Sequence, residues 1–235
     1  MENKILCIAE IGHNFNGNLR LAKTMIDEAK SCGVDIVKFQ LYDTDKIKKP
    51  WQSRYLELKF AELTADDAFE LKEYCDKKGI EFMASAFDCE RVRWLKEMGV
   101  KRYKLASRSI YDTELIECME GTGKPIIASL GMWKGDNFPV IKNAEFLYCI
   151  SEYPAYLKEL PKFGIQFNNE YQGFSDHTIG CYWAREAVKK GAKIIEKHFT
   201  LSHELPGHDQ KCSAEPYELK DLITYIKQHE RGIDF

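Results

Sequence analysis

The chain of 235 residues is 44% hydrophobic and 30% charged, with a formal net charge of -3; that supports a sizeable apolar core and leaves no global basic surface for gripping nucleic acid. No apolar run approaches the roughly 18 residues needed to cross a bilayer, and the opening MENKIL leads into a strand rather than a signal peptide. A cytoplasmic address and no membrane contact are therefore expected. The eight cysteines, at positions 7, 32, 75, 89, 118, 149, 181 and 212, include no Cys-x-x-Cys pair, which predicts free buried thiols rather than a disulfide or zinc framework.

Short apolar, β-branched runs alternate with helical stretches along the whole chain. The first run is Ile5 to Glu10, followed by a helix that Gly33 should stop, then Asp35 to Gln40. Thr64-x-x-Asp67 reads as a capping box opening a helix that ends near Gly79, and Glu81 to Phe87 follows. A helix closing at Gly99 precedes the run Arg102 to Ser107, and the next run is Pro125 to Leu130. Between it and Glu145 to Ser151 lies only Met132 to Ala144, with Gly135, Asp136, Asn137 and Pro139, so helix five is expected to be short or missing. Gly173 to His177, a helix stop at Gly191 and Lys193 to Phe199 complete the strands, and Ser213 with Pro216 predicts the start of the last helix. Eight strand–helix units imply a single (β/α)8 TIM barrel over residues 1–235.

Barrel enzymes work at the C-terminal ends of their strands, and nearly every predicted strand here ends in a polar residue. The set comprises Glu10, Lys38, Gln40, Ser85, Lys104, Ser107, Ser129, Ser151, Asp176, His177, Glu196 and His198. A strand's period of two puts Lys38 with Gln40, and Glu196 with His198, on one face, while Lys197 points the other way. Lys38 and Lys104 at interior positions need an anion, because a buried ammonium without one costs several kcal/mol. That anion is a bound phosphate or carboxylate, or else Glu10 and Glu196 in a structural network. His177 and His198 end consecutive strands, so the two imidazoles could share one metal ion, with Asp176, Glu196 and Asp209 as further ligands or as acceptors orienting the rings.

These residues fall in the motifs Ala9-Glu10-Ile11-Gly12-x-Asn14-x-Asn16-Gly17, Val37-Lys38-Phe39-Gln40, Tyr103-Lys104-Leu105-Ala106-Ser107, Ser175-Asp176-His177-Thr178, Glu196-Lys197-His198-Phe199-Thr200 and Leu205-Pro206-Gly207-x-Asp209. From about Ile5 to Leu222 the chain resembles the catalytic barrel of the sialic acid (N-acetylneuraminate) synthase family. The resemblance implies a divalent cation on His177 and His198, Mn2+ first, with Mg2+, Co2+ or Zn2+ as alternatives. It implies phosphoenolpyruvate held by Lys38 and Lys104 with Ser107, Ser129 and Ser175, and it places Glu10 and Asp209 beside the sugar, Glu10 as the acid/base. Gln40, Ser85, Ser151 and Asn14 complete the expected substrate contacts. The implied reaction joins C3 of the enol to an amino-sugar aldehyde and releases phosphate after water adds at C2. A homodimer is expected.

Three segments depart from the family pattern: Ser85-Ala86-Phe87-Asp88, Ser129-Leu130-Gly131-Met132 and Tyr148-Cys149-Ile150-Ser151-Glu152-Tyr153-Pro154. Most members continue into a small antifreeze-like C-terminal domain, which this chain is expected to lack. Together these features imply an acceptor other than N-acetylmannosamine. Two other readings stay open, a Schiff-base aldolase using Lys104 and a lapsed barrel that binds a sugar or a partner protein.

Overall fold

The computed structural model describes residues 4–156, 167 and 171–233. Eight parallel strands close into a barrel in sequence order: β1 (Leu6–Gly12), β2 (Ile36–Leu41), β3 (Glu81–Ala86), β4 (Tyr103–Leu105), β5 (Ile126–Ser129), β6 (Ala144–Cys149), β7 (Gly173–Asp176) and β8 (Ile194–His198). Each coincides with a predicted run. The fourth is shorter than expected, because Ser107 already begins a 3-10 turn, Ser107–Ser109. Helices α1 (Leu19–Cys32), α2 (Thr44–Ile47), α3 (Tyr55–Phe60), α4 (Ala65–Lys78), α5 (Cys89–Glu97), α6 (Thr113–Glu120), α7 (Tyr182–Lys189) and α8 (Pro216–Glu230) lie between and after the strands. No helix is present in 130–143, as expected, and the sixth crossover falls largely outside the described residues. Among the described residues no helix is long and apolar enough to cross a membrane.

The helix ends follow local chemistry. Thr64 and Asp67 form the expected capping box on α4, and Gly33 and Gly79 end α1 and α4 at φ of 93° and 68°, a backbone that glycine adopts without penalty. Asp88, one of the departures from the family pattern, caps α5 by accepting from the Arg91 N–H at 2.9 Å. Two expectations need correction. The last helix is capped by Glu215, in a reciprocal box with Glu218, and not by Ser213; the Ser213 hydroxyl instead donates to the Asp209 carbonyl at 2.7 Å. Six cysteines are free, but Cys89 and Cys118 form a disulfide. The reason is tertiary, since α5 and α6 pack side by side and bring the two Cα atoms to 5.7 Å.

Alternation along the strands builds two cores. Outward-facing residues such as Ala9, Val37, Phe39 and Phe82 pack under the helices in the larger cluster. Inside the barrel, Ile8, Ile36, Met83, Ile127, Leu147 and Ile194 form a separate apolar plug, each side chain worth about 1.5–3 kcal/mol of burial. Two residues further along each strand the same inward face turns polar: Ile8 gives way to Glu10, Ile36 to Lys38, Met83 to Ser85, Ile127 to Ser129 and Ile194 to Glu196. The plug is thus the floor of a polar chamber at the C-terminal end.

Gly173 completes that floor at the β7–β8 seam. A Cβ there would sit 2.0 Å from the Ile194 carbonyl oxygen, so the two strands approach only because the side chain is missing. Gly173→Ala should therefore lower stability by about 1–3 kcal/mol, a Tm drop on the order of 2–12 °C. A Tm equal to wild type by calorimetry would contradict this packing.

Candidate active site

The chamber above the plug holds four buried charged side chains. Lys38 Nζ, on β2, lies 2.7 Å from Glu10 Oε2 on β1 and 3.5 Å from Glu196 Oε2 on β8, and donates to Ser85 Oγ at 3.3 Å. Gln40 Nε2 donates to the other Glu10 oxygen at 2.7 Å. Lys104 differs from Lys38, because among the described residues no carboxylate lies within the 4.0 Å of an ion pair. Its ammonium donates only to Ser129 Oγ at 2.7 Å and to the Leu105 carbonyl at 3.1 Å. The expected carboxylate network is therefore present at Lys38 and absent at Lys104.

Burial and charge split the two carboxyls. Burial raises Glu10 above the usual carboxylate range, against the pull of Lys38 and with help from the Glu196 charge. Burial opposes ionisation of Glu196 too, but Lys104 and Lys38 outweigh it and hold that group low. Burial pulls Lys104 below an ordinary lysine, with Glu196 opposing. The chamber thus gathers two lysines and two carboxyls, with burial acting against the charge of both Glu10 and Lys104.

His177 and His198 stand beside this chamber with ring centroids 5.4 Å apart. His177 Nδ1 lies 2.6 Å from the Ile150 carbonyl, a pure acceptor, so Nδ1 carries the proton and Nε2 the lone pair. Ser175 Oγ is 3.3 Å from that Nε2, but its single proton goes to Glu196 Oε1 at 2.8 Å, which leaves the lone pair available. His198 Nδ1 is buried without a hydrogen bond, 3.8 Å from Asp209 Oδ2. Burial lowers both rings, His198 to about 3 despite Asp209, so both are neutral imidazoles and suited to metal ligation. Tyr153 stacks on His177 at 4.2 Å and meets His198 edge-on at 5.6 Å. Asp176 is not available to the imidazoles; it faces outward, 3.2 Å from Lys197 Nζ, and accepts from Thr178. That is what a period of two requires of the residue between Ser175 and His177.

The chamber, about 50 Å³, opens into an outer cavity of about 300 Å³, and Gln40, Phe87, Ala106, Ser107 and Tyr153 line both. Ser107 Oγ accepts from the Met132 N–H at 2.6 Å and from Ser151 Oγ at 3.1 Å, tying together the loops after β4, β5 and β6. Asp209 reaches the outer cavity from a 3-10 turn, Asp209–Cys212. One expected participant lies apart. Asn14 lines neither cavity, its amide being committed to the Phe199 carbonyl at 2.9 Å and to Ser213 Oγ at 2.8 Å. Tyr148 points away from the site and stacks on Phe174.

The NeuB family profile matches residues 25–234. The chain belongs to the NeuB family. It is 38% identical over 95% of its length to an uncharacterized protein of Methanocaldococcus jannaschii, covering 70% of that protein. It is 34% identical over 95% of its length to N,N'-diacetyllegionaminic acid synthase of Legionella pneumophila, covering 71%. The crystal structure of N-acetylneuraminic acid (sialic acid) synthetase from Leptospira borgpetersenii serovar Hardjo-bovis, in complex with citrate, superimposes with a TM-score of 0.89 at 33% identity, over 99% of this chain and 86% of that one.

This NeuB chain also places three residues at the mouth that no sequence motif singled out. His13 is buried with its Nε2 3.0 Å from Glu57 Oε1 and 3.8 Å from Asp209 Oδ2. Arg54, at φ 68°, lies 3.3 Å from both Glu57 Oε1 and Asp209 Oδ1. Burial works against a charged His13, but Glu57 and Asp209 outweigh it and raise its pKa. Period two marks strand ends, and these residues sit on loops and a short helix, so alternation carried no signal for them.

A buried neutral histidine ties stability to pH. The folded His198 refuses a proton that the unfolded chain accepts near 6.5, so its stabilising difference is present above that value and is lost as pH falls toward about 3. In metal-free urea unfolding, the stability of wild type relative to His198→Gln should therefore be lower at about pH 5 than at about pH 7.5. A gap that does not change with pH would contradict the neutral assignment.

Proposed function

We propose that this NeuB chain is a metal-dependent nonulosonic acid synthase, joining phosphoenolpyruvate to an amino-sugar aldehyde with release of phosphate. The observation that carries the reading is Lys104: an ammonium inside the barrel with hydroxyl and carbonyl partners but no carboxylate, next to two neutral imidazoles. A buried cation without a direct ion pair is costly, and a small polyanion such as phosphoenolpyruvate lowers that cost. Ser129, Ser107 and Ser85 supply neutral donors around the same chamber.

His177 and His198 are the residues that would hold a divalent cation, Mn2+ first with Mg2+, Co2+ or Zn2+ as alternatives; bound there, it would supply Lewis-acid polarisation of the aldehyde oxygen. Among the described residues no group of three or more His, Cys, Asp and Glu side chains encloses such an ion, so substrate or water would complete its shell. Lys38 and Lys104 hold the anionic donor and orient its C3 toward the aldehyde carbon. As that C–C bond forms, the protonated Glu10 gives its proton to the aldehyde oxygen, which becomes a hydroxyl. The resulting carboxylate, steadied by Lys38 and Gln40, takes a proton from water adding at C2. Collapse at C2 forms the keto group and breaks the bond to the bridging oxygen, which leaves with phosphate as the proton of the C2 hydroxyl passes to the departing phosphate. Tyr153, packed on both imidazoles, shields this centre from solvent.

The test is phosphate release from phosphoenolpyruvate with a panel of acylamino sugars and each metal in turn. Release should require both a sugar and a divalent ion and stop with a chelator; no release with any combination would overturn the reading. Glu10→Gln should lower kcat by about 10²–10⁴, and full activity in that variant would remove Glu10 from its role. The lowered Lys104 ammonium also favours a second reading, imine formation. Borohydride trapping of pyruvate on Lys104 would establish that alternative, and its failure supports the electrostatic role.

A further inference from the structure

Asp209 lines the outer cavity, yet it comes from a 3-10 turn and not from a strand, so the barrel register does not fix its carboxylate. Its Oδ1 lies 3.3 Å from Arg54 Nη2 and 3.2 Å from His208 Nδ1. Its Oδ2 accepts no hydrogen bond from the described residues and stands 3.8 Å from both His13 Nε2 and His198 Nδ1. One oxygen is anchored and the other is open. The groups around Asp209 are in turn gathered by Glu57. Glu57 Oε1 lies 3.0 Å from His13 Nε2 and 3.3 Å from Arg54 Nη2, and accepts the His208 N–H at 3.1 Å, while Oε2 accepts from Arg54 Nε at 3.3 Å. The hydrogen bond with His13, more than any other contact, holds Glu57 well below the usual carboxylate range. Arg54 reaches this cluster on a left-handed backbone, φ 68°, with no side-chain capping bond on α3; such a backbone persists in a non-glycine residue only where the surroundings impose it. His13 occupies a position left open in the first family motif, and Arg54 and Glu57 lie outside all of the motifs.

We infer that Glu57 is a positioning residue for the acceptor: by seating His13, Arg54 and His208 it aims Asp209 Oδ2 at a hydroxyl of the sugar in the outer cavity. The inference rests on the synthase reading above, which puts the aldehyde beside His177, His198 and Glu10 and so directs the body of the sugar outward. Glu57 itself lines neither the chamber nor the outer cavity, so it acts on a bound sugar only through these neighbours. A carboxylate with one oxygen held and one free accepts a hydroxyl without first having to be ordered. Phosphoenolpyruvate is served separately, because neither Glu57 nor Asp209 lines the chamber that contains Lys38 and Lys104.

The test is a double-mutant cycle, run with the acylamino sugar that wild type turns over in the panel above. Glu57→Gln should raise the KM for that sugar by roughly tenfold and leave the KM for phosphoenolpyruvate unchanged. In an Asp209→Asn background the same substitution should add nothing, because its effect passes through Asp209. Arg54→Gly keeps the left-handed backbone without penalty, so it should hold the Tm at or above that of wild type while raising the same KM. Crystals of Glu57→Gln should show the Asp209 carboxylate moved from its place beside His13 and His198. An unchanged KM for the sugar, equal rises in both KM values, or independent effects of the two substitutions would overturn the positioning role and leave the synthase reading intact. If wild type turns over no sugar of the panel, the synthase reading falls and the crystals decide: a moved carboxylate supports the positioning of Asp209 by Glu57, and an unmoved one removes it.

Discussion

A closed barrel cannot hydrate what its strands point inward, and the rest of this site depends on how the chain meets that constraint. Above the apolar plug, two lysines and two glutamates occupy one small space. Lys38 sits between Glu10 and Glu196, so the carboxyls share a cation and compete for it. Burial and mutual repulsion push Glu10 up, while Lys104 on the other side holds Glu196 down. Two identical functional groups are thereby pushed in opposite directions, the general route by which one site obtains an acid and a base.

The same constraint keeps the histidines neutral. Each ring is enclosed by other residues: His177 by the Ile150 carbonyl and Tyr153, His198 by Tyr153 and the more distant Asp209. A charged imidazole in that setting is unfavourable, so the lone pair of His177 Nε2 stays free. The chamber therefore sets two buried lysines beside an adjacent pair of uncharged nitrogen donors.

Chamber and outer cavity are built by different parts of the fold. Residues of the strands, fixed by the barrel's hydrogen-bonded register, line the chamber. The outer cavity is built from the excursion after β2, which contains α2 and α3, and from the loops after β4, β5 and β6. Met132, after β5, and Ser151 and Tyr153, after β6, contribute to the outer wall from these loops. Loop substitutions can therefore reshape the outer cavity without disturbing the barrel register that aligns Glu10 with Lys38 and His198.

Sequence alone determined the eight strands, the missing fifth helix, the capping box at Thr64 and the inward placement of Lys38, Gln40, Glu196 and His198. Alternation and capping depend on residues a few positions apart, which a linear reading captures. Asp176, read from its residue type as a candidate partner of the imidazoles, turns outward to Lys197 in the structure, as the period of two requires. Tertiary structure decided which neighbours these residues meet. It paired Cys89 with Cys118 through the packing of α5 on α6, left Lys104 without the carboxylate that Lys38 has, and turned Asn14 to a structural role. It also gathered His13, Arg54, Glu57 and Asp209 at the mouth from segments far apart in the chain. Charge pairing across closed loops has no periodicity along the sequence, so it became visible only when the barrel closed.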